Sequence, residues 1–590
     1  MITFKLMKAV AFVWCLTLQI AFAQAPVEKY PVDSASVVHA GVPQGELIQL
    51  PFTESKIYPG TTRTVTIYVP VQYDGKKPAC LYVNQDAVQF KAPTVFDNLI
   101  NSKEMPVTIG VFVTPGQVVA ENPQAAANRN NRSFEYDGLG DNYARFLLTE
   151  VLPFVEKQKT KDGRDIMLSK NANDRAIGGQ SSGAIAGFNV AWERPESFSR
   201  VFSAISTFVG LRGGERFATL IRKYEPKPIR VFLQDGTNDL NNYAGDWWIT
   251  AQMMERAFQF AGYEVEHSWG EGAHNSTHAT AIFPQAMRFL WKGYPAPVKA
   301  GVSKNAYTNK IIIPTERWEL VGEGYGFAEG TATNAAGEVF FQDIPNSKTY
   351  KVDLDGKLSQ LNIDAKKASG TAFGPDGKRY TIANATSQII SYDDNNKAAI
   401  VANGIINGND LTVGNNGNIY VTAPNGVDKP SKIYLIKPNG QKLIVDEGLK
   451  FANGLALSVD QTMLYVCESA THWVYVFKIT ADGTLTNKQR LGWLHVPDDA
   501  DNAWSDGAKF DINGRMWVTT RMGIQVLDEQ SRVITIIPTP GEGNPSNLCF
   551  GGPNFDIIYV TINNKVYRRK VGVKGVKPFE KPFKPEIQRI

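Results

Sequence analysis

Apolar and polar positions divide the chain into two parts with different periodicities. Between about residues 61 and 291, apolar runs of strand length alternate with stretches whose apolar residues recur every three or four positions. The predicted strands are Thr64–Val69, Ala79–Val83, Val107–Val113 and Ile229–Leu233, and the predicted helices are Tyr143–Glu156, Gly183–Trp192 and Trp247–Ala261. This alternation predicts a mainly parallel sheet with helices on both faces.

After Trp318 the helical period gives way to a repeated β unit. In each copy a turn precedes an apolar strand run, and the turns lie at Gly337, Gly377, Gly417, Gln461, Gly514 and Phe555. Subtracting these positions gives spacings of 40, 40, 44, 53 and 41 residues. A four-stranded propeller blade takes roughly 40–45 residues, so six copies predict an all-β six-bladed propeller. A long β-sandwich with accidental spacing is the alternative.

The start of the chain is typical of a cleavable secretory signal. Met1–Lys8 carries basic residues, Ala9–Phe22 is apolar, and small residues alternate up to Ala25. The apolar run is shorter than the roughly 20 residues that cross a bilayer. We therefore expect an exported protein, periplasmic in a Gram-negative source, with no membrane anchor; a buried N-terminal helix is the alternative. The predicted divisions are a signal peptide (1–23), an N-terminal linker (24–44), an α/β domain (45–295), a polar linker (296–315), the propeller (316–570) and a basic Lys/Pro-rich surface tail (571–590).

Composition and charge narrow the class of protein. Hydrophobic residues make up 43% of the chain and charged residues 20%, which excludes a disordered or wholly membrane-embedded protein. The 62 basic and 58 acidic residues leave a net charge of +4, too small an excess to favour nucleic acid as a partner. Cys15, Cys80, Cys467 and Cys549 are too few and too scattered for a disulfide scaffold or a zinc ribbon.

The sequence Gly179-Gln180-Ser181-Ser182-Gly183 combines a nucleophile with small neighbours. It follows a short strand run and opens a predicted helix, as in a nucleophile elbow, where the backbone is strained and closely approached. Such a turn exposes the Ser181 hydroxyl. The N–H of Ser182 can then contribute to an oxyanion hole.

A carboxylate and an imidazole follow Ser181 in the chain order of an α/β-hydrolase triad. Asp239 comes just after the carboxyl end of a strand, where open α/β sheets place their sites, and His274 ends a glycine-rich loop. In this interpretation His274 deprotonates Ser181, and Asp239 orients the imidazole, for ester hydrolysis through an acyl-enzyme. The competing candidates are Asp235 for the acid and His267 and His278 for the base.

Three stretches of the first half carry family motifs: NRSFEYDGLGDNYARFLLTEVLPFVEK, GGQSSGAIAGFNVAWERPESFSRVFSAIS and VFLQDGTNDLNN…GEGAH. About residues 45–295 resemble the esterase family that includes enterochelin esterases, esterase D-like enzymes and feruloyl esterases. The resemblance implies an α/β-hydrolase that cleaves carboxylic esters without a cofactor, with Ser181, Asp239 and His274 as its triad. Asn84-Gln85-Asp86-Ala87 stands where relatives more usually carry Asp-Gly in the oxyanion loop, which leaves the second oxyanion donor open.

Polar residues at the predicted blade entrances form an oxygen-rich set: Glu329, Asn409, Asn453 and Asp506. Because inner propeller strands converge on a central channel, these side chains can meet there. Carboxylate and amide oxygens suit Ca²⁺, Mg²⁺ or Mn²⁺ and tolerate Zn²⁺. Asn-Gly, Asn-Asp and Asp-Gly are also turn formers, so the pattern alone leaves a purely structural role open.

Five stretches occur in order along the second half: FAEGTATNAAGEVFFQDIPNSKTYKV, NGNDLTVGNNGNIYVTAP, FANGLALSVDQTMLYVCES, WSDGAKFDINGRMWVTT and NLCFGGPNFDIIYVT. About residues 316–570 resemble the gluconolactonase/senescence-marker-protein/luciferin-regenerating-enzyme family. The resemblance implies lactone hydrolysis with Glu329, Asn453 and Asp506 as metal ligands, Ca²⁺ as the expected ion, Asp506 as proton acceptor and Asn409 lining the substrate site. Thr331 stands where Pro is usual, and the segment before Asn409 lacks the Arg that some relatives use on sugar substrates, which puts the substrate in doubt.

Together these features predict an exported two-domain hydrolase, a serine esterase fused to a metal-dependent lactonase-like propeller. The expected substrates are carbohydrate-linked esters or sugar lactones. One alternative keeps the esterase and makes the propeller a non-catalytic module that binds carbohydrate or a partner. Another makes both domains inactive scaffolds, against which the complete triad and ligand sets argue.

Overall fold

The computed structural model describes residues 29–586. The predicted signal peptide and Cys15 lie outside the described residues. Within them, Cys80, Cys467 and Cys549 are buried free thiols. None of the helices in this part of the chain combines the length and the apolar character needed to cross a bilayer.

An eight-stranded sheet forms the frame of the first domain in the described residues. Its strands are β1 (Glu46–Phe52), β2 (Arg63–Val69), β3 (Cys80–Gln85), β4 (Thr108–Val113), β5 (Arg175–Gln180), β6 (Arg200–Ala204), β7 (Arg230–Asn238) and β8 (Glu264–Ala273). They lie in the order β1-β2-β4-β3-β5-β6-β7-β8. The β1–β2 and β2–β4 pairs are antiparallel and the rest are parallel. Strands β3 and β4 are buried along their whole length because helices cover both faces of the sheet.

Helices pack on the two faces and enclose two apolar clusters, one on each side of the sheet. The helices are Ala92–Asn101, Arg132–Tyr136, Asn142–Phe146, Leu152–Glu156, Ser182–Glu193, Phe217–Lys223, Trp247–Ala261 and Thr277–Leu290. The predicted helix Tyr143–Glu156 is interrupted by a π-helical turn at Leu147–Val151. Pro153 explains the wider turn, because it has no N–H and its ring would clash with a carbonyl one turn earlier.

In the part of the chain that the structure describes, six four-stranded antiparallel sheets form the propeller. Blades 1 to 3 consist of Ala328–Thr333, Val339–Asp343, Lys348–Val352 and Leu358–Gln360; Ala368–Phe373, Arg379–Ala383, Gln388–Tyr392 and Ala398–Asn403; and Leu411–Val413, Ile419–Ala423, Lys432–Ile436 and Lys442–Glu447. Blades 4 to 6 consist of Ala452–Leu457, Met463–Glu468, Trp473–Ile479 and Leu485–Trp493; Ala508–Phe510, Met516–Thr520, Gly523–Leu527 and Val533–Ile537; and Pro545–Gly551, Ile557–Ile562 and Lys565–Lys570 with Glu319–Glu323. The last strand pairs the start of the domain with its end. The predicted fold class, an α/β-hydrolase followed by a six-bladed propeller, is confirmed.

The segment predicted as a polar linker contains a short helix, Ala306–Ile311. Asn305 caps it, and the Asn305 side-chain amide donates to the carbonyls of Arg222 in the first domain and Ile534 in the propeller. Its last residue, Ile311, is fully buried. One capped turn is too short to give a periodic signal, so the sequence shows only its polar residues.

The tail also departs from the prediction of a surface segment. Val571 and Val573 are buried, and the Val576 N–H donates to the Phe510 carbonyl of blade 5. Residues 576–579 line a cavity of about 70 Å³ in the propeller channel. The alternating valines give the tail an apolar side, which buries against the propeller.

The two domains share an extensive interface. One apolar cluster contains buried residues of both, and Tyr224 forms a parallel bridge with Ile536 of blade 5. Arg569 makes a two-pronged ion pair with Glu225, with both N–O distances 2.7 Å. The interface therefore fixes the propeller against the first domain by packing as well as by charge.

Candidate functional site

Ser181 occupies the sharp turn between β5 and the helix Ser182–Glu193. Its φ of 54° and ψ of −128° lie outside the usual regions for a residue with a side chain. A Cβ on Gly179 would lie 2.7 Å from the Gly183 backbone, and one on Gly183 would lie 2.9 Å from the Asp86 carboxylate. The turn therefore needs small residues on both sides of the serine, as the motif predicts.

The structure brings Ser181, His274 and Asp239 together. The Oγ of Ser181 lies 2.9 Å from Nε2 of His274, and Oδ1 of Asp239 lies 2.5 Å from Nδ1. The Asp239 side chain is fully buried, whereas that of His274 is 21% exposed. If Nδ1 carries the proton and donates it to Asp239, Nε2 is left to accept from the serine.

The electrostatics of Asp239 favour its charged form. Burial alone would raise the pKa of Asp239, but hydrogen bonds from His274 and Asp235 outweigh burial and lower it. The Leu240 N–H also donates to Oδ1 at 2.6 Å. A carboxylate is thus available to orient the imidazole and to stabilise it when it becomes charged.

The competing candidates lie elsewhere. His267 pairs through Nδ1 with Glu255 at 2.6 Å. The buried His278 lies between Gln234 and Ser268, each 3.2 Å from one of its ring nitrogens. Asp235 is buried behind Asp239 rather than bonded to His274. The roles of the three chosen residues stay predictions, but the geometry selects them from among the alternatives.

The loop that contains Asp86 and Ala87 has an unusual backbone for residues with side chains. Asp86 and Ala87 have φ values of 66° and 71°, the left-handed region that glycine adopts freely. Arg132 holds the Asp86 carboxylate with two hydrogen bonds of 2.8 and 2.7 Å. Ser182 is the first residue of its helix, so no carbonyl within the helix accepts from its N–H. Sequence reasoning missed Arg132, although it lies in a motif stretch.

In the propeller, Glu329, Asn453 and Asp506 come from blades 1, 4 and 5, and the charge of the buried Asp410 acts on both Glu329 and Asp506. Burial, and next the charge of Asp410, raise the pKa of Glu329 to about 7. Burial, and then the charges of Glu329 and Asp410, raise the pKa of Asp506 well above its ordinary value. Lys509 is the cation that partly offsets this repulsion.

The donor set fits a hard divalent cation. Among the described residues, Oδ1 of Asn453 and Oδ2 of Asp410 are buried without a hydrogen-bond partner. The Asn453 amide nitrogen is committed to Ser469 Oγ at 3.0 Å, so its oxygen is left as a possible ligand. Within the described chain, no three His, Cys, Asp or Glu side chains form a metal-binding group by themselves. A metal here would need the amide oxygen beside the carboxylates.

Two other positions change the picture drawn from the sequence. Asn409 is partly exposed, and its neighbour Asp410 is the buried residue of the pair. Thr331, which replaces the usual Pro, donates to Asn547 Oδ1 at 3.0 Å, and Asn547 donates to Glu329 Oε2 at 3.0 Å. Asp410 could have been noticed as the carboxylate next to Asn409, whereas Asn547 opens the last quoted motif stretch but was not singled out.

Two family models match the chain, one in each half. Residues 57–289 match the family model "Putative esterase", and residues 327–564 match "SMP-30/Gluconolactonase/LRE-like region". Each part of the chain thus matches one family model, the first part the esterase model and the second part the gluconolactonase-like model. Both resemblances inferred from the motifs are confirmed.

Similar proteins include a gluconolactonase from Zymomonas mobilis, 26% identical over 233 residues, which are 35% of this chain and 64% of that protein. The chain thus spans somewhat less than two thirds of that relative. A solved gluconolactonase structure from Xanthomonas campestris shares 22% identity, with a TM-score of 0.40 over 45% of this chain and 92% of its own. A ferulic acid esterase structure shares 18% identity, with a TM-score of 0.30 over 42% of this chain and 98% of its own.

Proposed function

We propose that the protein is an exported two-domain hydrolase: a serine carboxylesterase joined to a metal-dependent lactonase. The observation that carries the esterase assignment is the unbroken hydrogen-bond chain from Ser181 through His274 to Asp239, with links of 2.9 and 2.5 Å. The strained turn that presents Ser181 supports the same role, because strain of this kind persists where function requires it.

In the esterase domain, His274 Nε2 takes the Ser181 hydroxyl proton while Oγ attacks the ester carbonyl carbon. The N–H of Ser182 stabilises the negative oxygen that forms. Nε2–H then gives its proton to the departing alcohol, which leaves an acyl group on Ser181. A water molecule, deprotonated by His274, releases the acid and restores the serine.

The test of this assignment is hydrolysis of p-nitrophenyl acetate by the full-length protein. Ser181→Ala should lower kcat by at least about a thousandfold, given the usual cost of removing a triad member. Ser197→Ala is a change in the turn that follows the helix Ser182–Glu193, and it should leave kcat unchanged. Activity of Ser181→Ala equal to that of the wild type would refute the assignment.

In the gluconolactonase-like domain, we assign Glu329, Asn453 and Asp506 as the residues that hold a divalent cation, Ca²⁺ being the expected ion. When bound, such a cation polarises a carbonyl and makes a water molecule more acidic. Two orphaned buried oxygens and three mutually repelling carboxylates support the assignment, since a cation would satisfy both.

The chain's own residues orient this site and move the proton. Asn547 fixes the Glu329 carboxylate, and Ser469 fixes the Asn453 amide. Asp506 is only partly buried, whereas Glu329 is buried, so the Asp506 carboxylate is the better candidate to accept a proton from water. We also propose that Asn409, which is partly exposed beside Asp410, contacts substrate.

We further propose sugar lactones and carbohydrate-linked esters as substrates. The support is the similarity to the Zymomonas mobilis protein, which is a gluconolactonase.

Lactone hydrolysis with and without metal tests the second domain. We expect chelated full-length protein to lose glucono-lactone turnover and added Ca²⁺ to restore it, whereas Asp506→Asn should be inactive under both conditions. Asp482→Asn, the same change on an exposed hairpin, is the matched control. At Ca²⁺ 100-fold above its Kd, binding should stabilise the fold by about 2.7 kcal/mol. If the protein binds sugars but does not hydrolyse lactones, the lactonase proposal is refuted and the propeller is a binding module.

Export is proposed from residues 1–25 alone. The basic start, the apolar run and the small residues before Gln24 and Ala25 support it. Expression in a Gram-negative host with separation of periplasm and cytoplasm tests it. A cytoplasmic product that keeps Met1 at its N-terminus would refute it.

A further inference from the structure

A second carboxyl group, Asp235, lies directly behind the triad. It is near the carboxyl end of β7, four residues before Asp239, and is fully buried. The chemical mechanism above makes no use of it. A fully buried carboxyl beside another buried carboxylate needs a physical reason, because two like charges so placed repel each other strongly.

The hydrogen bonds of the two carboxyls leave one oxygen of each unaccounted for. Asp235 Oδ1 accepts from the Gly236 N–H at 2.7 Å. Asp239 Oδ1 accepts from both His274 and the Leu240 N–H. The two Oδ2 atoms are buried and, among the described residues, have no donor. A single proton shared between the two side chains satisfies both oxygens at once.

The surroundings put that proton on Asp235. Burial, and next the hydrogen bond and charge of Asp239, raise the pKa of Asp235 to about 9. Asp246, on the hairpin that follows, adds negative charge. The other titratable groups on this side are His274, which reaches Asp235 only through Asp239, and His278, which bonds to the neighbouring Gln234.

We propose that Asp235, as a neutral carboxylic acid, is a positioning residue that donates a hydrogen bond to Asp239 and holds it against His274. The inference rests on the proposed esterase function. Asp239 lies between the exposed residues Asn238 and Leu240, on a loop beyond the rigid sheet. Asp235 belongs to the sheet itself, so its hydrogen bond ties the loop that carries Asp239 to the sheet.

The proposal has a pH signature. When Asp235 ionises, a second negative charge faces Asp239 in a buried site, and the two carboxylates separate. Asp239 then loses its alignment with His274. The wild-type protein should therefore lose kcat as the pH rises past about 9, with little change in KM.

Two variants separate the hydrogen bond from the charge. Asp235→Asn keeps a donor toward Asp239 but cannot ionise, and Asp235→Leu has similar size but no donor. With p-nitrophenyl acetate between pH 6 and 10.5, we expect Asp235→Asn to keep kcat within threefold at pH 8 and to lack the loss above pH 9. Asp235→Leu should lose at least tenfold in kcat at pH 8, with KM within twofold.

A wild-type-like kcat in folded Asp235→Leu, or the same loss above pH 9 in Asp235→Asn as in the wild type, overturns the proposal. If Asp235→Leu fails to fold, the pH profile of Asp235→Asn decides alone. If Ser181→Ala is as active as the wild type, the esterase function itself fails. The rate of Ser181 sulfonylation by phenylmethylsulfonyl fluoride, read by mass spectrometry over the same pH range, then decides on Asp235.

Discussion

Acidification should weaken the contact between the two domains through His495. This side chain is 6% exposed, and its Nε2 lies 2.9 Å from Nζ of Lys223 in the first domain. Lys223 is a donor only, so the imidazole must be neutral to accept from it. Burial, and then the charges of Lys223 and Arg216, lower the pKa of His495 to about 4.

The sign and size of this pH effect follow from the difference in the pKa of His495 between the folded and the unfolded protein. An unfolded histidine has a pKa of about 6.5, so as the pH falls the unfolded chain takes up the proton first. The stability contributed by neutral His495 is present above pH 6.5 and is lost as the pH falls toward 4. Because the pKa of His495 is about 6.5 in the unfolded chain and about 4 in the folded protein, the loss in free energy of unfolding is about 2 kcal/mol at pH 5 and at most about 3.4 kcal/mol.

The assay is urea unfolding of the full-length protein at pH 7.5 and pH 5.0. His495→Gln keeps an acceptor for Lys223 but cannot take a proton, so its free energy of unfolding should fall about 2 kcal/mol less than that of the wild type. His39→Gln, a change at an exposed histidine of the N-terminal segment, is the control and should behave as wild type. Equal pH dependence in wild type and His495→Gln, within about 0.5 kcal/mol, would refute the reasoning.

Two further outcomes are expected. Asp239→Asn should lower kcat for p-nitrophenyl acetate about 10⁴-fold at pH 7, because the imidazole loses the carboxylate that fixes its tautomer; unchanged kcat would contradict the triad geometry. Arg569→Met should destabilise the full-length protein by about 3 kcal/mol in urea unfolding, because it leaves the partly buried Glu225 unpaired across the interface. Adding Glu225→Gln should restore most of the lost stability. If it does not, the ion pair with Glu225 is not the source of the stability that Arg569 provides.

Local pattern carried much of the prediction. The helix Trp247–Ala261 has its predicted bounds because Asp246 caps its first turn and the left-handed Gly262 ends it. Both signals lie directly beside the apolar stripe in the sequence. In each of the six blades, a strand follows the predicted turn, because the turn residue and the apolar run lie next to each other in the sequence. His274 was favoured over His267 and His278 by its glycine-rich loop, and the structure puts it beside Ser181.

The sequence by itself therefore determined the two fold classes, the turn at Ser181 and the chain order of the three proposed triad residues, since each can be read from local pattern or from spacing along the chain. Tertiary structure alone decided that Asp410 and Asn547 join the propeller site, that Asp235 shares a proton with Asp239, and that His495 meets Lys223. Those contacts depend on three-dimensional distance and on burial. Both arise only when strands and loops far apart in the chain pack into one low-dielectric interior, where a lone charge is costly and a shared proton or a partner becomes necessary.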